Sequence, residues 1–106
     1  MNSERLDQLL EFLKEDPNDP FNLYAVATEY NPHYPEKALE YYELLLTDHP
    51  DYLATYYHAA KLYADLGQSS NAEDAFKKGI ALAQEQKEAL PLRELQNAYN
   101  EFLFEE

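Results

Sequence analysis

Cysteine is absent from this 106-residue chain, and glycine occurs only twice. Without cysteine there is no disulfide and no thiolate chemistry, which fits a reducing compartment and makes a cytoplasmic location the expectation. Two glycines, Gly67 and Gly79, cannot build a glycine-rich phosphate loop, and no nucleophile elbow is present. Basic residues are also scarce: 8 Lys and Arg stand against 21 Asp and Glu, for a net charge of −13. Nucleic acid is an unsuitable partner for such a chain, because a phosphate backbone needs clustered cations. An anionic membrane surface is excluded for the same reason. The imbalance is uneven: residues 1–51 carry 12 acids and 3 bases, residues 52–106 carry 9 and 5. No apolar run approaches the roughly 18–20 residues a membrane span requires. The opening stretch MNSERLDQLLEFLKED is charged throughout, so no secretion signal is expected in it.

What the chain does have is apolar bulk at helical spacing. Hydrophobic residues make up 45%, including ten Tyr and five Phe, enough for one small domain spanning residues 1–106. Leu6, Leu9, Leu10 and Leu13 mark a first helix, which Pro17 ends. Asp19-Pro20 opens a second, as an N-cap acid followed by proline at the first helical position. Its apolar stripe is Leu23, Val26, Ala27 and Tyr30. Pro35 starts a third, with Leu39, Tyr42, Leu45 and Leu46 on one face. A fourth carries Tyr56, Ala59, Ala60 and Tyr63 and stops at Gly67, a left-handed C-cap. Ser70 and Glu73 read as a capping box opening a fifth helix through Phe76, Ile80 and Ala83. Pro91 starts a sixth through Leu92, Leu95, Tyr99 and Phe102. No segment alternates as a strand does, so the predicted class is all-α.

These stripes repeat. Ala38, Tyr42 and Leu46 recur downstream as Ala72, Phe76 and Ile80. Pro17, Leu23, Tyr24, Ala27 and Tyr30 recur, one position closer, as Pro50, Tyr56, Tyr57, Ala60 and Tyr63. A period of about 34 residues on helical patterns means stacked helical hairpins.

The spacing and residue types resemble the tetratricopeptide repeat family, whose unit is a helix-turn-helix of about 34 residues. Residues 51–86 match its pattern well: Tyr56 at the bulky position, Ala59 and Ala60 at the small pair, then Tyr63, Gly67, Ala72 and Phe76. They depart from it at Gly79, where the family has Ala, and at Gln84, where it has Pro. Residues 19–49 form a degenerate unit whose turn lacks the glycine and is one position short. The helix at 3–16 aligns on the third, with Leu6, Leu9 and Pro17 against Leu39, Tyr42 and Pro50, and looks like the second half of a truncated unit. Residues 91–104 fit no unit and look like a capping helix. The resemblance implies a short right-handed solenoid of about six helices, each hairpin burying the apolar face of the next.

The family's role is to bind proteins in the concave groove, lined by the first helix of each hairpin. Helical geometry assigns to that groove Phe21, Tyr24, Thr28 and Asn31 from the second helix. From the fourth come Ala54, Tyr57, His58, Lys61, Ala64 and Asp65. Tyr24 and Tyr57 hold equivalent places in the two units and are expected side by side there. The competing expectation is that these rings only cover the core or the cap helix. A subset of the family clamps acidic chaperone tails with Lys and Asn. Here Tyr24 and Tyr57 replace the first Lys, and Thr28 and Lys61 stand at the Asn positions. With a −13 chain, that mode is rejected.

Catalytic and metal constellations are missing. His58 has Leu62 one helical turn on, and His33 and His49 fall in turns, so no helical ligand pair exists. The expected function is therefore a non-enzymatic interaction module without cofactor, taking a neutral or basic protein or peptide. Self-association through a solenoid end or the tail Phe102-Leu103-Phe104 is the alternative, since Phe104 lies roughly 120° off the stripe begun by Leu92.

Overall fold

The computed structural model describes residues 3–105. It contains six α-helices: α1 (Ser3–Glu15), α2 (Pro20–Tyr30), α3 (Pro35–Asp48), α4 (Ala54–Asp65), α5 (Ser69–Gln86) and α6 (Ala89–Glu105). No strand occurs among the described residues, in keeping with the all-α class that the periodicity predicts. The helices gather into two compact units, Met1–Tyr52 and Leu53–Glu106, each with its own core.

In the first unit α2 packs on both α1 and α3. Asp19 caps α2 as its sequence position requires: its carboxylate accepts the Phe21 N–H at 2.9 Å, and Pro20 fills the first turn. The Asn22 side-chain amide donates to the Phe12 and Asp16 carbonyls, each at 3.3 Å, and so fastens the end of α1 to the start of α2. At the opposite end of α2, Arg5 Nε meets Glu29 Oε1 at 2.8 Å. The turn into α3 is closed by the His33 and Tyr34 N–H groups, which both donate to the Tyr30 carbonyl, at 3.1 and 2.8 Å. Leu6, Leu23, Val26, Ala27, Ala38, Leu39, Tyr42 and Leu45 form the core. Ala27 and Ala38 are fully buried, and their small size is what allows the two helices to approach closely.

In the second unit α5 packs on α4 and α6, and α6 also reaches α4. α4 ends at Gly67 with φ +77°. The Gly67 N–H donates to the Ala64 carbonyl at 3.1 Å and the Gln68 N–H to that of Tyr63 at 2.8 Å, the paired bonds of a Schellman cap. α5 ends the same way, but on Lys87, which takes φ 59° without being a glycine. The Lys87 and Glu88 N–H groups donate to Gln84 and Ala83. α6 then begins at Ala89, ahead of Pro91. The proline is tolerated because first-turn N–H groups have no acceptor within the helix.

The capping box expected at Ser70 and Glu73 does not form. α5 already starts at Ser69, its N-cap is Gln68, and no side chain caps it. Glu73 instead turns outward to Lys77 at 3.0 Å, one helical turn on.

The second core holds Tyr56, Ala59, Ala60, Leu62, Tyr63, Ala72, Ala75, Phe76, Ala83, Leu95 and Phe102. Phe76 packs against Tyr99 and Phe102, each at 5.5 Å between ring centres, so three rings join α6 to α5. One polar group is out of place here. Thr55 is fully buried and its hydroxyl has no hydrogen-bond partner among the described residues. A buried orphan hydroxyl costs desolvation without return, so Thr55→Val is expected to raise stability by about 1 kcal/mol. Urea unfolding measures this, and a lowered midpoint would show that the hydroxyl contributes to the native state.

Candidate protein-binding faces

Four of the residues assigned to a groove lie on or at the end of α2, spaced so that they share one side of the helix. Phe21, held in the first turn by the Asp19 cap, is 61% exposed. Tyr24 is half-buried. Its ring is braced by Tyr52 at 5.8 Å and by Tyr42 at 6.5 Å, both tilted by 58°. Thr28 is exposed, and its hydroxyl shares a 3.2 Å hydrogen bond with the Tyr42 hydroxyl. Asn31 caps the end of α2, its N–H donating to the Ala27 carbonyl at 3.0 Å. Burial pushes the Tyr42 phenol up, with the Thr28 bond working against it. Burial, then the neighbouring Tyr24, push Tyr52 the same way. Both phenols therefore stay neutral hydrogen-bonding groups.

Tyr52 belongs to this face and is absent from the periodic pattern. Its counterpart in the preceding repeat is Asp19, so no repeat signal marks it. Only its aromatic character beside the Pro50 turn could have pointed to it.

The other six residues lie on α4. Tyr57 is half-buried and meets His58 edge-on, 5.5 Å between ring centres. Lys61 places its ammonium 3.5 Å from the Tyr57 hydroxyl, to which it donates, and 5.2 Å from the ring centre. Asp65 is exposed at the end of the helix. Beside Lys61 and Asp65 a shallow cleft of about 250 Å³ is walled by Phe76, Ala98, Glu101 and Phe102, so α6 borders this end of the α4 face. Ala54 and Ala64 add little side chain to either end.

His58 is itself half-buried. Burial pushes its imidazole below the ordinary value of 6.5, Lys61 pushes it further down, and Glu94 on α6 opposes both. A depressed histidine favours the folded state only while neutral. Its contribution is complete above the unfolded pKa near 6.5 and is lost as pH falls through the folded value. Between pH 7.5 and 5 the native chain is therefore expected to lose more stability than His58→Gln. Urea midpoints of both proteins across that range test this; parallel curves would contradict it.

The two remaining histidines sit where the sequence places them, His33 in the α2–α3 turn and His49 at the end of α3. Among the described residues no group of three or more His, Asp or Glu is placed to hold a metal ion. Nor is any described helix long and apolar enough to cross a membrane. Of the tail residues, Phe102 is buried against Phe76, whereas Leu103 and Phe104 are 48% and 93% exposed. The exposed apolar surface of the tail thus comes from Leu103 and Phe104.

No protein-family model and no curated protein matches the chain. Solved structures do. A crystal structure of a tetratricopeptide repeat domain protein from Salinibacter ruber is 39% identical. It superposes with a TM-score of 0.79, covering 83% of this chain and 99% of that one. A solution NMR structure of a tetratricopeptide repeat domain protein from the same organism is 41% identical, with a TM-score of 0.76 over 82% of this chain and 89% of that one. PcrH, crystallised in complex with the chaperone binding region of PopD, shares the fold at 18% identity. Its TM-score is 0.85, over 94% of this chain and 77% of that one. With its recurring aromatic and alanine stripes, its Schellman-capped helical hairpin and 39% identity over 83% of its length, this chain belongs to the tetratricopeptide repeat family.

Proposed function

We propose that the chain is a cytoplasmic, non-enzymatic adaptor that binds another protein through the exposed faces of α2 and α4. The contact residues are Phe21, Tyr24, Thr28 and Asn31 on the first and Tyr57, His58, Lys61 and Asp65 on the second. The observation that carries this reading is Phe21. A phenylalanine 61% exposed beside a braced tyrosine contributes little to its own core and offers its area to a partner. Membership of a family of helical repeats supports the same class of role, and PcrH is a neighbour of this fold bound to a segment of another protein.

The bound segment is neutral or basic, because an acidic one would meet a net charge of −13. Tyr24 and Tyr57 suit it as rigid anchors with a polar tip. Thr28, Asn31 and Lys61 supply hydrogen bonds around them.

The test is affinity capture from the host, with Phe21→Ala and Tyr57→Ala run beside the native chain. Each substitution is expected to weaken capture by roughly thirtyfold, the loss of an anchor worth about 2 kcal/mol. Circular dichroism melts should stay near those of the native chain for Phe21→Ala. Capture unchanged by both substitutions would remove the α2 and α4 faces from the binding surface.

A further inference from the structure

The outer face of α3 carries a second aromatic surface, separate from the α2 residues just described. Lys37, Tyr41, Leu44 and Asp48 follow one another at helical spacing and form a single stripe. Leu44 is 46% exposed and Tyr34, in the preceding turn, is 53% exposed. Tyr41 stacks on Tyr30 with 5.9 Å between centres and 11° between planes, while Tyr34 meets Tyr30 edge-on at 6.3 Å. Three rings thus form a rigid platform, with Leu44 one turn further along α3.

This platform already holds a cation. The Lys37 ammonium lies 5.9 Å from the Tyr41 ring centre and 3.3 Å from the Glu40 carboxylate. The Glu40 hydrogen bond and charge, with smaller contributions from Tyr41 and Tyr30, push the lysine pKa up. Exposed Glu36 and Glu40 run along one side of the stripe. Ring face and carboxylate together are the two halves of an arginine subsite, because a guanidinium stacks on an aromatic ring while its N–H groups reach a carboxylate.

We propose that this face docks a basic amphipathic helix of a partner protein. An arginine of that helix lies over Tyr41 and Glu40 in place of Lys37, and an apolar side chain one turn away covers Leu44. Charge selects this occupant. Residues 1–51 hold 12 acids against 3 bases, and two of those bases, Arg5 and Lys37, are spent in ion pairs with Glu29 and Glu40. A second copy of the chain would bring like charge against like, and a nucleic acid would be repelled outright. In this arrangement Lys37 is a placeholder: it keeps the subsite occupied and competes with the incoming arginine.

The probe is a synthetic capped helix of about sixteen residues with two arginines and two leucines on one face, fluorescently labelled and titrated with the full chain at low salt. Its control is a peptide of the same composition with those residues scattered around the helix. The patterned peptide should bind at least about fivefold more tightly than the scrambled one. Leu44→Ser and Glu40→Gln, both at exposed positions, should each remove about fivefold of that affinity. Lys37→Ala should increase it, and Phe21→Ala should leave it unchanged. Equal binding of the two peptides would overturn the proposal, since general charge attraction would then account for it. So would indifference to Leu44→Ser and Glu40→Gln, or weaker binding by Lys37→Ala. Loss of the peptide in Phe21→Ala would place it on the α2 face and equally overturn the α3 site.

Discussion

Phe76→Ala is expected to destabilise the chain by about 3–5 kcal/mol, the range for removing a fully buried aromatic side chain. Phe76 is 1% exposed and its ring touches Tyr99 and Phe102 at once. Truncation leaves a void on α5 and strips α6 of the ring that holds its buried face. Aromatic pairs add about 0.5–1.5 kcal/mol beyond the area they bury, and here two pairs are lost together. Against the roughly 5–15 kcal/mol that stabilises a domain, the change is severe. Urea unfolding gives the magnitude. Amide exchange should show α6 losing protection before α4 and α5. A loss under about 1 kcal/mol with α6 protection intact would mean that α6 is held by other contacts.

The second large effect falls on Gly79. In an ordinary helix interior, Gly→Ala gains about 1 kcal/mol from propensity. Here the gain should be reversed. A Cβ on Gly79 would lie 2.6 Å from the Tyr56 Cβ and 3.2 Å from Leu95 Cδ2. The first of these is a rigid atom next to the α4 backbone, so relief requires α4 and α5 to separate. Overpacking of that kind costs about 1–3 kcal/mol, which outweighs the propensity gain. Gly79→Ala should therefore melt below the native chain, and Gly79→Val lower still. A melting temperature raised by Gly79→Ala would show that the two helices have room to spare.

Gly79 also illustrates what the sequence can and cannot reveal. It is visible there as a departure from the repeat pattern, where alanine is usual. The cause lies in the Tyr56 and Leu95 side chains, which belong to other helices, α4 and α6. Local chemistry is easier to read. Asp19-Pro20 and Gly67 impose their conformations over a short stretch of chain, and both caps occur at the expected places. Ser70 and Glu73 have the right spacing for a capping box, but the helix begins at Ser69 and Lys77 takes the carboxylate. α6 starts at Ala89 rather than at Pro91, because a proline that suits the first helical position is equally tolerated later in the first turn.

The proposed binding faces are legible to the same degree. Helical spacing is enough to put Phe21, Tyr24 and Thr28 on one side of α2, and Tyr57 and Lys61 on one side of α4. It cannot show which of these side chains are committed. Thr28 is tied to Tyr42, and Tyr24 leans on Tyr52, which the repeat pattern does not mark. His58 is half-buried, and burial and Lys61 push its imidazole down against Glu94 on α6. Phe21 is left largely exposed, at 61%. Its substitution is therefore the one expected to separate the proposed binding from folding.

That residue supplies the most direct test. A photoreactive benzoylphenylalanine placed at Phe21 in the full chain, expressed in its own host and irradiated, should yield a discrete adduct with another protein. The same group at Lys77, on α5 and 61% exposed, should not yield that adduct. If the two positions gave the same adducts, or if Phe21 crosslinked only to a second copy of the chain, the α2 face would not be where this protein binds its partner.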